Sequence, residues 1–411
     1  MTSPVNIDFL DPRAPSFRAD PYPILAHFRE HKPVHWSPAL KAWVVTRYDT
    51  VRAVLLDAQL SSDTVTPFYR AQTSETQAKI ETLVRYLGNW LVFKDPPDHA
   101  RLRRLVSRVF TANALQKIRP NVERIVTHLL DGLDDRNDVD LVEAFSNRLP
   151  AYVIMDMLGI PRTKLADVKN WSDEIKLFIG AAQNTPDKYD RARDGALAMA
   201  AMFQELIDVR RREPTDDVLA MLVAARDDDD DRLTDDELIA TSILFLFAGH
   251  ETTTNLISMA SLHMIHDPDQ RKTFLGLDGA ADTAIAVEEF LRFDGPTPSM
   301  VRLAAKPHEL EGAEVEEGQR IYAMIAAANH DPSVFERPDR LDVRRNPNRH
   351  VTFGYGAHFC LGAPLARMEA NCALPALHRR FPEMVLGGDV EWADGLTLRG
   401  PSALPVRLRG Q

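Results

Sequence analysis

The sequence predicts a mainly helical fold with a small β component. Three observations carry this expectation. Apolar residues recur at i, i+3 and i+4 in segment after segment, the spacing that gives a helix one buried face. Stretches of β character are short and gather at residues 300–325 and 385–408. Thr234-Asp235-Asp236-Glu237 has the form of a capping box, and it opens an apolar run that continues to about His266.

Taken in order, residues 21–31 form a short amphipathic stretch. Residues 43–46 followed by 51–55 read as strand, turn and helix. Residues 102–110, 122–133 and 149–158 carry helical spacing, and 197–211 and 218–225 continue the series. The run 226–232, five aspartates between two arginines, reads as a solvated loop. The helix opened by Thr234 has acidic residues in its first turn, which suits the positive end of its dipole, and Pro268 stops it. Residues 361–380 predict a last long helix. No repeat of fixed period and no Gly/Ser linker divides the chain. One domain over 1–411 is therefore expected, although the length would allow two or three.

A net charge of −11 argues against nucleic acid as a partner, because phosphate binding needs a basic field. The opening residues Met1 to Asp8 lack a positive region followed by an apolar run, so no secretory signal or anchor is expected. The longest apolar stretch, 238–249, is too short to span a bilayer and fits a buried helix. Cys360 and Cys372 are the two cysteines. With no disulfide framework, a reducing, cytoplasmic setting is the natural expectation.

The most informative segment is Phe353-Gly354-Tyr355-Gly356-Ala357-His358-Phe359-Cys360-Leu361-Gly362. Its first glycines let the backbone turn tightly and approach a flat partner. A cysteine at a helix N-terminus has its thiolate favoured by the dipole and the free N–H groups, and the thiolate is the form a metal takes. No second cysteine stands at C-x-x-C spacing, which disfavours zinc and iron–sulfur sites. A lone thiolate on such a turn suits a metal that brings its other ligands with it, as haem does. Cys372, with no such surroundings, reads as a small buried hydrophobe.

The pattern F-G-x-G-x-H-x-C-x-G, filled by Phe353, Gly354, Gly356, His358, Cys360 and Gly362, resembles the haem-binding signature of the cytochrome P450 family. The resemblance implies that fold, a single large helical domain with minor β-sheets, and Cys360 as axial ligand of the haem iron. It extends to three further motifs in the family's order. Phe247-Ala248-Gly249-His250-Glu251-Thr252-Thr253 resembles the oxygen-binding helix, locally opened, in which Ala248 and Gly249 make room for dioxygen. Glu251 and Thr252 match its proton-relaying acid–alcohol pair, and O–O cleavage requires groups that donate and accept protons. On its own the segment is equally a polar break in a buried helix, with Thr252 bonded back to a carbonyl. Glu289-x-x-Arg292 matches the family's E-x-x-R, and the segment 338–341 resembles the one that supplies a second arginine, which implies a structural network of Glu289, Arg292 and Arg340. Residues 95–103 resemble the start of the helix whose His99 and Arg103 hold haem propionates. Arg302 and His358 match the other propionate contacts, while Met300 stands where some members carry an acid.

The family's activity is thus the expected one. A haem-thiolate monooxygenase holds haem b, takes O2 as co-substrate and inserts one oxygen atom into an apolar small or medium-sized organic molecule. Two other readings compete: a peroxide-using peroxygenase, which the Glu251–Thr252 pair opposes, and a non-catalytic haem-binding sensor. No nucleotide motif G-x-G-x-x-G follows a strand, so electrons are expected from a ferredoxin and its NAD(P)H-dependent reductase. Arg101, Arg103, Arg104 and Arg108 are the candidates for docking that acidic partner. By the same alignment Trp90, Leu91, Leu244 and Phe247 would line the substrate pocket with Pro298, Val301, Thr397 and Leu398. Phe178 and Ile179 would lie in its lid, and no charged anchor is placed there. Phe247 is expected to narrow the space above the haem.

Overall fold

The computed structural model describes residues 9–12, 14, 17, 20–179, 185–225, 231–393 and 395–410. The opening residues Met1 to Asp8 and the aspartates 227–230 therefore lie outside the described residues. Helices dominate, as the spacing predicts. α1 (Tyr22–His31) buries Leu25 and Phe28. β1 (Val34–Ser37) and β2 (Ala42–Val45) form a hairpin, and α2 (Tyr48–Leu56) completes the strand–turn–helix. After β3 (Leu60–Ser61) come α3 (Val65–Arg70), α4 (Ser74–Leu87) and α5 (Asp98–Val106). α5 starts earlier than the apolar spacing suggested and tightens into a 3-10 turn over Ser107–Phe110. α6 (Ala112–Asp131), β4 (Asp138–Asp140), α7 (Arg148–Leu158), α8 (Leu165–Ile179), α9 (Lys188–Arg212) and α10 (Val218–Ala224) follow.

α11 (Asp235–His266) is the central element. Its capping box forms in both directions: Glu237 N–H donates to Thr234 Oγ1 at 3.3 Å, and Thr234 N–H to Glu237 Oε2 at 2.9 Å. Two of the orphan donors of the first turn are thereby satisfied. The helix is apolar all round over most of its length, so it runs through the core, packed on α7, α9 and α15 (Ala363–Arg380). No helix among the described residues is long and apolar enough to cross a membrane.

Past α12 (Pro268–Leu275) and α13 (Ala280–Phe293), the chain builds β5 (Met300–Ala304), β6 (His308–Leu310), β7 (Ala313–Val315) and β8 (Arg320–Ala323). The largest sheet has the order β1-β2-β8-β5-β3, with β2 and β8 parallel. Its register sets Tyr322 opposite Val301 and Val44, and Arg320 opposite Leu303 and Ala42. Alternation along β8 puts Tyr322 and Arg320 on one face. The short α14 (Ile325–Ala328) follows β8. β9 (Val385–Leu386), β10 (Glu391–Trp392), β11 (Pro401–Ala403) and β12 (Pro405–Arg407) form small antiparallel pairings near the C-terminus.

The E-x-x-R pair is wholly buried, with Arg292 bidentate on Glu289 at 2.7 and 2.8 Å. The second arginine is not Arg340. That side chain is exposed, and only its backbone carbonyl takes part, accepting from Arg292 Nη2 at 3.2 Å. The chain turns so that the carbonyls of Pro338 and Arg340 face the guanidinium. Arg345 then reaches Glu289 Oε2 at 3.0 Å. Removing one member of a buried charge pair leaves the other without compensation. Glu289→Ala is therefore expected to cost about 3–5 kcal/mol, Arg345→Ala about 1–3 kcal/mol, and Arg340→Ala no more than about 0.5 kcal/mol. Urea unfolding midpoints of the three variants check that order.

Candidate functional site

The cysteine loop is closed by a short set of backbone bonds. Cys360 N–H donates to Phe353 O at 2.9 Å, and Gly354 N–H to Val351 O at 2.9 Å. Gly354 and Gly356 take φ values of +73° and +72°, a region closed to most side chains, so these turns require glycine. A Cβ on Gly354 would also meet the Met300 thioether at 3.2–3.3 Å. α15 begins at Ala363, two residues later than predicted, because Leu361 and Gly362 belong to the turn. The Cys360 residue has exposed surface and lines a cavity, yet protein crowds its sulfur. Burial pushes the thiol up. The N–H groups of Gly362 and Ala363 and the charges of Arg103 and Arg367 oppose this without reversing it. The helix end alone does not outweigh burial at this thiol, contrary to the simplest expectation.

That cavity, about 270 Å³, lies between the loop and α11. Phe353, Cys360 and Gly362 line one side, and Ala248, Gly249 and Thr252 line the other. α11 is continuous here, not opened, and the Thr252 hydroxyl donates to Ala248 O at 3.0 Å. Gly249 has a second reason to be glycine: a Cβ would lie 3.0 Å from Ile154 Cγ1 of α7. Its missing side chain serves the contact between α7 and α11, in addition to leaving the cavity wall bare at that point.

Four donors predicted for one anionic group converge at the cavity's edge. The rings of His99 and His358 lie 4.0 Å apart between centroids, and both residues line the cavity with Arg103. Arg302 is buried, and its guanidinium donates to the neighbouring Val301 carbonyl at 3.0 Å. His99 Nε2 is buried and has no hydrogen-bond partner among the described residues. Burial, with His99 and Arg302 nearby, pushes His358 down to about 3. Burial lowers the Arg302 guanidinium as well. Asp95, itself accepting from Ser62 N–H at 2.8 Å, is the acid that acts on Arg302 and on both histidines. Such a cluster fits a group bearing two carboxylates above a flat apolar body.

Glu251 is 8% exposed and is gripped by Lys176 of α8, Nζ to Oε2 at 2.7 Å, with His250 Nε2 at 3.4 Å from its other oxygen. Burial raises this carboxyl, but the hydrogen bonds and charges of His250 and Lys176 outweigh it and hold it at about 2. Lys176 was missed from the sequence. It sits in an ordinary amphipathic helix, and its Asp173 neighbour at i−3 gives it the look of a surface pair.

A second cavity, about 470 Å³, shares Leu244, Ala248, Thr252 and His358 with the first. Trp90, Phe178, Ile179 and Phe247 line it, as do Val301, Thr397 and Leu398, while Leu91 lines the first cavity. Pro298 does not line either. It is buried, with its carbonyl taken by Ala326 N–H at 3.0 Å, and Thr297 and Ser299 face the cavity in its place. The wall also carries charge that the alignment did not place, notably Arg320 beside Tyr322. Of the four arginines expected to dock a partner, Arg101 is held by Glu237 at 2.7 Å and Asp231 at 3.5 Å, and Arg103 donates to Phe359 O at 2.7 Å. Arg104 and Arg108 are exposed.

The comparisons agree with this geometry. The family model described as cytochrome P450 matches residues 41–273 and 283–391. The chain is 37% identical to the 6-deoxyerythronolide B hydroxylase of Saccharopolyspora erythraea over 97% of its own length and 99% of that protein's. It is 36% identical to the cytochrome P450 monooxygenase PikC of Streptomyces venezuelae, over 96% of this chain and 92% of that protein. The solved structure of the bacillaene polyketide synthase cytochrome P450 PksS from Bacillus subtilis 168 superposes with a TM-score of 0.88 at 32% identity, covering 98% of this chain and all of that one. The chain belongs to the cytochrome P450 family of oxygen-incorporating oxidoreductases.

Proposed function

We propose that the chain is a haem-thiolate monooxygenase holding haem b. In this reading residues 1–411 act as one domain in the cytoplasm and receive electrons from a ferredoxin and its NAD(P)H-dependent reductase. The observation that carries it is the opposition of Cys360 and the Glu251–Thr252 pair across adjoining cavities, with four cationic or donor side chains at the rim. The reducing compartment accords with two free cysteines.

Haem iron, when bound, supplies the dioxygen activation and oxygen transfer; the protein supplies the rest. Cys360 would hold the iron. His99, Arg103, Arg302 and His358 would hold the propionates. Phe353 and Gly362 line the cavity that would receive the ring, and Gly354 makes the turn that would let the loop approach it. At α11, Thr252 offers a hydroxyl that both donates and accepts, now resting on the Ala248 carbonyl. Glu251 is held low and paired with Lys176, so it accepts a proton before it donates one. The apolar wall orients the substrate and excludes water. Phe247, packed 5.5 Å from Trp90, narrows the approach. Arg104 and Arg108 are exposed, so their charge would face an acidic ferredoxin.

A peroxygenase would need neither Glu251 nor a ferredoxin, so peroxide-driven turnover equal to the reductase-driven rate would favour it instead. The reduced protein with carbon monoxide is expected to show the red-shifted Soret band of thiolate ligation, and Cys360→His should abolish it; an unshifted band in the parent protein refutes the assignment. Glu251→Gln is expected to slow NAD(P)H-driven product formation roughly 10²-fold, and Thr252→Ala to divert oxygen to peroxide, measured as hydrogen peroxide released per product. Removing Lys176 withdraws one of the groups that hold the Glu251 carboxyl low. In Lys176→Gln the acid limb of the rate profile should therefore move to higher pH, because the carboxylate is lost sooner as pH falls. An unmoved limb means that the pair is only structural.

A further inference from the structure

The second cavity is expected to take an apolar substrate, yet its wall carries charged side chains, Lys188, Glu251, Arg302 and Arg320. Arg320 and Tyr322 stand on the same face of β8, two residues apart, and both line the cavity. In register with them are Leu303 and Val301 of β5 and Ala42 and Val44 of β2, so the two polar groups rise from an aliphatic floor. Tyr322 is 3% exposed. Among the described residues its hydroxyl has no hydrogen-bond partner, and the Arg320 guanidinium has neither an ion pair nor a hydrogen bond. Arg292 and Arg345, by contrast, are paired with Glu289, and Arg210 with Asp217 at 2.6 Å. The one acid in the cavity lining is Glu251, already taken by Lys176 and His250. Arg302, one residue out of step with this face and beside the two histidines, belongs to the other cluster.

We infer that Arg320 and Tyr322 form an anion anchor that selects an amphipathic carboxylic acid, whose apolar chain extends along the cavity toward Cys360. One planar guanidinium fork and one phenolic O–H offer the number of donors that two carboxylate oxygens accept. The remaining wall, with Leu40, Phe68, Trp90, Phe247 and Leu398, suits a hydrocarbon body. Desolvation strengthens the charge-assisted bonds and makes an uncharged head group a poor replacement. The inference rests on the monooxygenase reading only in taking this cavity as the substrate's.

The test is calorimetric titration of the purified haem-loaded protein with dodecanoic and hexadecanoic acids and with their methyl esters. The acids should bind at least about tenfold tighter than the esters. Arg320→Gln should erase that ratio while leaving ester affinity unchanged, and Arg320→Lys should restore part of it. Tyr322→Phe should weaken acid binding severalfold and leave the esters alone. Unchanged ester binding shows in each case that the variant is folded. Equal affinity for acid and ester, failure of both to bind, or a ratio that survives Arg320→Gln overturns the anchor. Calorimetry does not depend on turnover. Acid selectivity without the red-shifted carbon monoxide band would uphold the anchor and defeat the oxygenase reading, and the reverse pattern would do the opposite.

Discussion

Glu289 is stripped of water, and a carboxylate in that state must be met by donors on every side. Arg292 gives two, Arg345 and Asn348 one each, and the backbone N–H of Asp342 a fifth. These donors come from α13 and from the irregular stretch that leads into the cysteine loop. The loop's approach is therefore tied to a helix by charge and not by regular secondary structure. Neighbouring bonds extend the tie: Thr352 Oγ1 donates to Leu291 O at 2.7 Å, and Val351 N–H to Asn329 Oδ1 at 2.9 Å. Glu288, next in the chain, takes His350 at 3.0 Å and Arg367 of α15. Two adjacent glutamates thus pin both ends of the segment that presents Cys360.

The site sets two buried electrostatic arrangements side by side, and they have different chemistry. Glu251 and Lys176 compensate one another, so the pair is stable as it stands and its cost is the work of opening it. Among the described residues Asp95 is the acid that acts on His99, Arg302 and His358, which favours an anionic partner at the cavity edge. The first arrangement suits a group that must change state during turnover. The second suits a group that must stay put. Between them α11 runs unbroken, held close to α7 by the glycine at 249.

Much of this was legible in the chain itself. The capping box at Thr234, the Gly-rich turns before Cys360 and the E-x-x-R pair are local patterns, and local geometry follows from spacing within a few residues. The helix and strand regions followed for the same reason, with errors at their ends. α15 begins late because Leu361 and Gly362 are spent on the turn, and α5 begins early because its first turn is polar and leaves no mark in the apolar spacing.

What sequence alone could not decide is which distant side chains meet. Arg340 and Arg345 are both arginines in one irregular stretch. Only the path of the backbone sends the first outward and the second onto Glu289. Lys176 lies in a helix with no motif of its own and reaches Glu251 of α11 only through the tertiary fold. Arg320 and Tyr322 reach a cavity because parallel pairing of β2 with β8 turns their face inward. Spacing within an element determined the fold class and the turns before Cys360, while the Glu251–Thr252 pair was legible only through the family resemblance. The partners of the buried charges were decided by tertiary structure, because a charge removed from water is satisfied by whatever the packing brings within about 3 Å, however far away it lies in the chain.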